Sequence, residues 1–128
     1  MATLPPFQKL WDNYPGKQTA DEVKKLIGGV VAQDWITNTC AIRMSHAFNL
    51  AGAPIPGNVP GMVTIRGGGK YANFRYAIRV AEMRKYLEAR YGPPTFRIAG
   101  PHTGDREEPA PAKFTGRQGS TPVVTVGR

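Results

Sequence analysis

The stretch TNTCAIRMSHAFNLAG, residues 37–52, constrains the fold most, because its pattern is that of one central helix. Small and apolar residues recur on one face at helical spacing: Cys40, Met44, Ala47, Phe48 and Ala51. Asn38 fits the N-cap position, which places Cys40 in the first turn. Gly52 fits the C-terminal cap, and the prolines that follow prevent the helix from continuing.

The residues before this helix predict a short turn of helix and then a longer helix. An apolar triplet with the spacing of one helical turn should dock the N-terminal arm on the core: Phe7, Leu10 and Trp11. Thr19 followed by Glu22 fits a capping box at the start of the next helix. Its apolar stripe ends at Gly28-Gly29, a pair that fits either a helix C-terminus or a close approach to another backbone.

After the central helix, MVTIRGGGKYANFRYAIRV predicts a strand, a glycine turn, and a second strand or helix entry. The glycines match no phosphate-binding loop. Residues 80–91 predict a helix with Val80, Met83, Leu87 and Tyr91 on one face and Gly92 at its end.

Residues 92–128 hold six of the twelve prolines and six of the fifteen glycines, which predicts a loop-rich segment in which only TPVVTV has strand character. The length of 128 residues predicts one domain, 1–128.

Composition excludes several classes of protein and of site. No apolar run approaches the length of roughly 18–20 residues that spans a bilayer, and the N-terminus has no secretory signal, so we expect synthesis in the cytoplasm and no membrane insertion. One cysteine excludes an internal disulfide, and one cysteine with two histidines excludes a four-ligand zinc site of these residues. We expect no cofactor.

The net charge of +8 is concentrated in residues 66–97, where eight basic residues face two glutamates. Such a segment fits nucleic acid, an anionic cell-wall polymer, an acidic protein or simply a solvated face. A nucleic-acid binder would combine basic and aromatic side chains: Arg66, Lys70, Arg75, Arg79, Arg84 and Lys85 with Tyr71 and Tyr76. No nucleic-acid-binding motif supports this alternative.

Cys40 has two interpretations. Cysteine is among the most buried residue types and often only fills space. A cysteine in a first helical turn, however, lies near unpaired N–H groups and the positive end of the helix dipole, and both favour the thiolate that attacks acyl groups.

A nucleophilic cysteine needs a base, and the chain has two histidines. His46 lies six residues after Cys40, which turns it about 120° around the helix axis, so the geometry argues against it. His46 is therefore an unlikely base, and His102, which lies in the proline-rich segment, is a weak candidate. The general base is therefore left unknown.

Three blocks in order, FQKLWDNYP, NTCAIRMSHAFNLAGAPIP and YAIRVAEMRKYLEARYGPP, resemble the type VI secretion amidase effectors, family four, over residues 7–94. The resemblance implies an α+β, papain-like (NlpC-type) cysteine hydrolase with a helical N-terminal part packed on a small antiparallel sheet. It implies Cys40 as the nucleophile. The substrate would be peptidoglycan peptide stems, cut between D-glutamate and meso-diaminopimelate.

The resemblance also implies partners and a place of action. The type VI apparatus would carry the protein from the producing cytoplasm to the target periplasm, where it would act as an antibacterial toxin, and a cognate immunity protein would block it.

The sequence departs from the family at its end. The family carries a later G-H-x-D-L-W-like strand that supplies the base histidine and its aspartate, whereas here KFTGRQG is followed by STPVVTVGR. We interpret the chain as a C-terminally truncated or altered member with an incomplete sheet. A cell-wall or immunity-protein binding module without turnover is therefore the alternative from the same lineage.

Overall fold

A computed structural model describes residues 3–92, 96–99, 104 and 123–126, and their architecture is α+β. The helices are α1 (Phe7–Asp12), α2 (Ala20–Ile27), α3 (Cys40–Leu50) and α4 (Val80–Tyr91). The strands are β1 (Thr64–Arg66), β2 (Arg75–Ala77), β3 (Phe96–Ala99) and β4 (Val123–Val126). Two short 3-10 segments, Gly29–Ala32 and Gly69–Tyr71, complete the regular structure of this part of the chain.

The predicted central helix is confirmed as α3, in which every residue except Leu50 is buried. It packs against α1, α4 and β2. Its N-cap is Thr39 and not Asn38, so the prediction was wrong by one residue. The Asn38 side chain still caps the helix, because its Oδ1 accepts the Cys40 N–H at 2.9 Å. The other end follows the prediction, since Gly52 adopts φ +91° and the Ala53 N–H reaches back to the Phe48 carbonyl at 3.0 Å.

β1 and β2 form an antiparallel pair in which Ile65 faces Tyr76. Two side chains of α3 fix β2 on the helix: the Ala77 N–H donates to Ser45 Oγ at 3.0 Å, and Asn49 Nδ2 donates to the Arg75 carbonyl at 2.9 Å. Ser45 thus contacts Ala77 and Asn49 contacts Arg75, so α3 and β2 run antiparallel.

The capping box of α2 is confirmed, with the Thr19 N–H donating to Glu22 Oε1 at 2.8 Å and the Glu22 N–H donating to Thr19 Oγ1 at 3.2 Å. The glycine pair after α2 serves both predicted purposes. Gly28 ends the helix at φ +74°, and Gly29, at φ +63°, lies so close to the backbone of Gly67 that a side chain would collide with it.

The N-terminal arm departs from its prediction. Leu10 is buried in the core as expected, but Phe7 and Trp11 are about half exposed. The Trp11 ring instead stacks between Phe7 and Tyr14, with centroids 6.1 and 5.8 Å away. One face of α1 therefore holds the core and the other presents an aromatic surface.

The C-terminal part contains the predicted helix and one strand that the sequence did not predict. α4 buries Val80, Met83 and Leu87 and ends at Gly92, as predicted. The strand expected in TPVVTV is β4, and its antiparallel partner β3 was not predicted because it follows a proline pair in a segment rich in proline and glycine. The expectation of a loop-rich segment otherwise falls outside the described residues.

Candidate active site

Cys40 is the first residue of α3, where the sequence placed it. Local contacts explain the helix start: Asn38 Oδ1 accepts the Cys40 N–H, and the Thr39 carbonyl accepts the Arg43 N–H at 2.8 Å. The thiol thus belongs to a helical turn whose N–H groups and dipole favour negative charge.

The Cys40 side chain is only 3% exposed and belongs to the larger apolar cluster of the core, together with Leu10, Ala77 and Val80. Position at a helix start and burial in hydrocarbon have opposite consequences for a nucleophile. The first stabilises the thiolate, whereas the second destabilises it and restricts access of a substrate. The geometry therefore places Cys40 at a helix start and buries it among apolar side chains.

His46 is directed to another side of α3. It is 3% exposed, its Nδ1 lies 2.9 Å from the Tyr76 hydroxyl, and its ring meets Tyr71 edge-on at 4.9 Å. Tyr76 belongs to the second apolar cluster, with Ile42, and not to the cluster of Cys40. The contacts of His46 are thus those of a hydrogen-bonded core histidine.

Burial sets the protonation of this pair. Desolvation, helped by the positive charge of Lys70, lowers the pKa of His46 from 6.5 to about 4, so the imidazole is neutral at pH 7. Burial also raises the pKa of Tyr76, which keeps its hydroxyl protonated. A neutral imidazole beside a phenol is a stable arrangement for a core. The other candidate base, His102, lies outside the described residues.

Arg43 is a buried residue next to the site that sequence reasoning missed. It is fully buried, its Nε donates to Thr39 Oγ1 at 2.8 Å, and its Nη1 donates to the carbonyls of Pro15 and Gln18 at 2.6 and 2.7 Å. It therefore ties the N-terminal arm to the first turn of α3. The signal in the sequence was an arginine within an otherwise apolar and small-residue helix pattern.

The structure buries one residue of the predicted nucleic-acid interface and pairs two of its arginines with glutamates. Tyr76 is fully buried, so its prediction as a base-stacking residue was wrong. Arg79 forms an ion pair with Glu82 at 3.3 Å, and Arg84 pairs with Glu88 at 3.0 Å. These pairs reduce the positive charge that the segment presents.

The matching family model is described as type VI secretion system amidase effector protein 4, and it matches residues 36–121. The chain belongs to this family. Its members are peptidoglycan amidase effectors with cognate immunity proteins, so the predicted family and function class are confirmed and the nucleic-acid alternative is not favoured. Comparison with curated protein sequences finds no match.

Solved structures of family members have the same fold. The effector–immunity complex Tae4–Tai4 of Enterobacter cloacae is 28% identical, with 98% of this chain and 82% of that chain covered and a TM-score of 0.64. The Tae4–Tai4 complex of Salmonella Typhimurium is 26% identical, with 97% and 83% covered and a TM-score of 0.67. Tae4 of Enterobacter cloacae is 27% identical, with 98% and 83% covered and a TM-score of 0.65.

These matches confirm the predicted α+β, papain-like (NlpC-type) fold class. Within the described residues, no helix has the length and apolar character that crossing a bilayer requires.

Proposed function

We propose that this family member is a cysteine amidase that uses Cys40 to cut the bond between D-glutamate and meso-diaminopimelate in peptidoglycan stems. The observation that supports the proposal most is the position of Cys40, the first residue of α3 in a chain of the amidase effector family. Thiolate at a helix start is the attacking species that acyl transfer requires.

In the proposed reaction, the Cys40 sulfur attacks the carbonyl carbon of the stem amide, and the carbonyl electrons move to oxygen. Collapse of this tetrahedral intermediate breaks the C–N bond, and the amine leaves with a proton that the base had taken from the thiol. Water then hydrolyses the thioester, which releases the carboxylic acid and restores the thiol. The Cys40 N–H is already donated to Asn38, so an oxyanion at this turn requires other donors.

The base decides how fast this chemistry runs. His46 is engaged with Tyr76 and packed on another side of α3, so we do not assign it the role. His102 is the remaining imidazole of the chain, and we assign it as the candidate base. General base catalysis typically contributes about 10²–10⁴-fold, so turnover without a positioned histidine is expected to be slower by that factor.

Hydrolysis of purified muropeptides by the full chain tests these assignments. We expect Cys40→Ala to abolish cleavage and His102→Ala to reduce it by about 10²-fold or more. His46→Gln serves as the matched histidine control and should retain activity. Wild type and Cys40→Ala that cleave at equal rates would refute the proposal.

A non-catalytic binding module is the second candidate, and the observation that favours it is the 3% exposure of Cys40. Like the effectors solved as complexes with Tai4, this chain is proposed to bind a cognate immunity protein and to act in the target periplasm after delivery by the type VI apparatus. Co-purification with that protein or with cell-wall fragments, combined with no cleavage of muropeptides, would select the binding module.

A further inference from the structure

Two arginines lie directly opposite each other in the β1–β2 hairpin, next to its glycine turn. Arg66 of β1 is paired with Arg75 of β2 in the antiparallel register. Directly opposed residues of such a pair point to the same face of the sheet, with their Cβ atoms about 4.5–5.5 Å apart. Like charges at this separation destabilise a sheet, so the pair is unfavourable for the fold unless an anion lies between the two side chains.

The positive charge of the arginine pair is not compensated within the described residues. The ion pairs of this part of the chain involve other arginines, and neither Arg66 nor Arg75 makes a side-chain hydrogen bond there. The sequence contains no aspartate or glutamate from position 35 to position 81. The next carboxylate, that of Glu82, already accepts the Val63 N–H and pairs with Arg79. The arrangement therefore favours an anionic ligand.

Arg75 is held in place by its surroundings. It is half-buried, and its guanidinium lies against Gly57, where an added Cβ would come within 2.8 Å of the arginine Nε. The Arg75 carbonyl accepts Asn49 Nδ2 at 2.9 Å, and Oδ1 of the same asparagine accepts the Ile55 N–H at 2.8 Å. Asn49 thus fixes both β2 and the loop that contains Gly57. A guanidinium held in this way loses less side-chain entropy on binding a ligand than a freely moving one does.

The arginine pair lies on the face of the hairpin that also carries Ala77. Side chains alternate along a strand, so Arg75 and Ala77 share one face and Tyr76 takes the other. Ala77 belongs to the apolar cluster of Cys40, whereas Tyr76 belongs to the second cluster, with its hydroxyl on His46. The pair is therefore on the Cys40 side of the hairpin and not on the His46 side.

The distance from the arginine pair to Cys40 suits a short peptide. Asn49, which contacts the Arg75 carbonyl, follows Cys40 by nine residues along α3, a rise of about 13–14 Å. Two extended residues span on the order of 7 Å, and the arginine side chain supplies part of the remainder. A peptide whose amide bond lies at Cys40 can therefore place a neighbouring group at the arginines.

A carboxylate has the chemistry that matches this pair, because the planar guanidinium fork binds the two oxygens of a carboxylate with parallel hydrogen bonds. D-glutamate and meso-diaminopimelate, the amino acids on either side of the proposed scissile bond, each carry two carboxyl groups. One carboxyl group of each continues the peptide chain. The other is left as a free carboxylate at pH 7.

We propose that Arg66 and Arg75 bind a free carboxylate of the peptide stem and so select the stem whose amide bond lies at Cys40. The inference deepens the proposed function and rests on it for the identity of the peptide. An oligonucleotide and an acidic protein surface are the other anionic occupants, and the experiment distinguishes them.

The first measurement titrates the Cys40→Ala full chain with a synthetic dipeptide of D-glutamate and meso-diaminopimelate, and with the same dipeptide whose free carboxylates are primary amides. NMR chemical shifts give both affinities without turnover. The Cys40→Ala parent should bind the carboxylate form about tenfold or more tightly than the amide form. Adding Arg75→Gln or Arg66→Gln should reduce this ratio to about twofold or less. Arg66 is exposed, so its variant tests the pair without disturbing a buried side chain.

Two further variants separate a built site from a simple effect of net charge. Arg84→Gln removes the same charge from α4, where Arg84 pairs with Glu88, and it should keep the ratio of the parent. Gly57→Ala keeps every charge, and it should lower the ratio because the added methyl group displaces the Arg75 guanidinium. Thermal unfolding of each variant verifies that it is folded.

The outcomes distinguish the carboxylate site from the proposed catalysis. Equal affinities of the parent for the two dipeptides, or an equal loss in Arg84→Gln, would overturn the inference. Effects of Arg66→Gln and Arg75→Gln that are confined to binding of an oligonucleotide or of the immunity protein would also overturn it. A tenfold ratio in a chain that cleaves no muropeptide would support the carboxylate site and contradict only the proposed turnover.

Discussion

Replacing Arg43 with methionine should destabilise the fold by about 2–4 kcal/mol, a value that follows from the bonds the guanidinium makes. The side chain is fully buried and donates to Thr39 Oγ1 and to the carbonyls of Pro15 and Gln18, at 2.6–2.8 Å. Methionine preserves the apolar stem of the side chain and removes every one of these donors.

The expected change in the free energy of unfolding combines the loss of buried hydrogen bonds with the removal of a buried charge. The Thr39 hydroxyl and the two arm carbonyls each lose a buried donor, at a cost of about 1–3 kcal/mol for each group. Methionine also avoids the desolvation cost of the buried guanidinium charge, which offsets several kcal/mol of this loss. The balance of about 2–4 kcal/mol is a large part of the total stability of roughly 5–15 kcal/mol that a domain of this kind has.

Urea unfolding followed by circular dichroism measures this loss. The matched control is Arg84→Met, because Arg84 pairs with Glu88 at 3.0 Å on the partly exposed face of α4. Such a pair contributes about 0.3–0.5 kcal/mol. If Arg43→Met costs no more than Arg84→Met, the reasoning that Arg43 holds the N-terminal arm on α3 is refuted.

Two further predictions test the core and the glycine contact. Because the folded pKa of His46, about 4, lies below its unfolded value of 6.5, its contribution to stability is complete above pH 6.5 and declines as pH falls toward 4. When the pH falls from 6.5 to 4, the free energy of unfolding of the wild type should therefore decrease by up to about 3 kcal/mol more than that of His46→Gln. Equal decreases in the two proteins would contradict the lowered pKa of His46. Gly29→Ala should cost about 3 kcal/mol or more, because the added methyl group meets the Gly67 carbonyl at a positive φ. Gly61→Ala, at φ +82° in open space, should cost only about 1–2 kcal/mol, and equal losses of thermal stability would argue against the steric part.

The elements that the sequence predicted are those whose signals are local. The helix period and flanking glycine define α3 and α4, and the capping box of α2 involves only Thr19 and Glu22. Even the one-residue error at the start of α3 is local, because Asn38 and Thr39 both satisfy groups of the same turn. Local signals were sufficient to place Cys40 at a helix start.

Features that depend on distant residues could not be predicted in this way. The partners of Arg43 in the arm lie 25 and 28 residues away, and the partner of His46 lies 30 residues away. The exposure of Trp11 likewise depends on which side of α1 meets the core. A helical spacing predicts that residues share a face, but it does not say which of them at its edge become buried.

The proposed catalysis requires a thiol at a helix start, which depends on local residues, and a base, which depends on a distant segment. The helix start that places Cys40 in the first turn is encoded within a few residues, from Asn38 to Arg43. A base must instead be brought to the sulfur by a distant segment, and the one candidate left by the contacts of His46 lies beyond α4. Loss of a distant base would therefore remove turnover while Cys40 stays at its helix start. For this reason, cleavage assays on His102 variants test the proposed base separately from the proposed nucleophile.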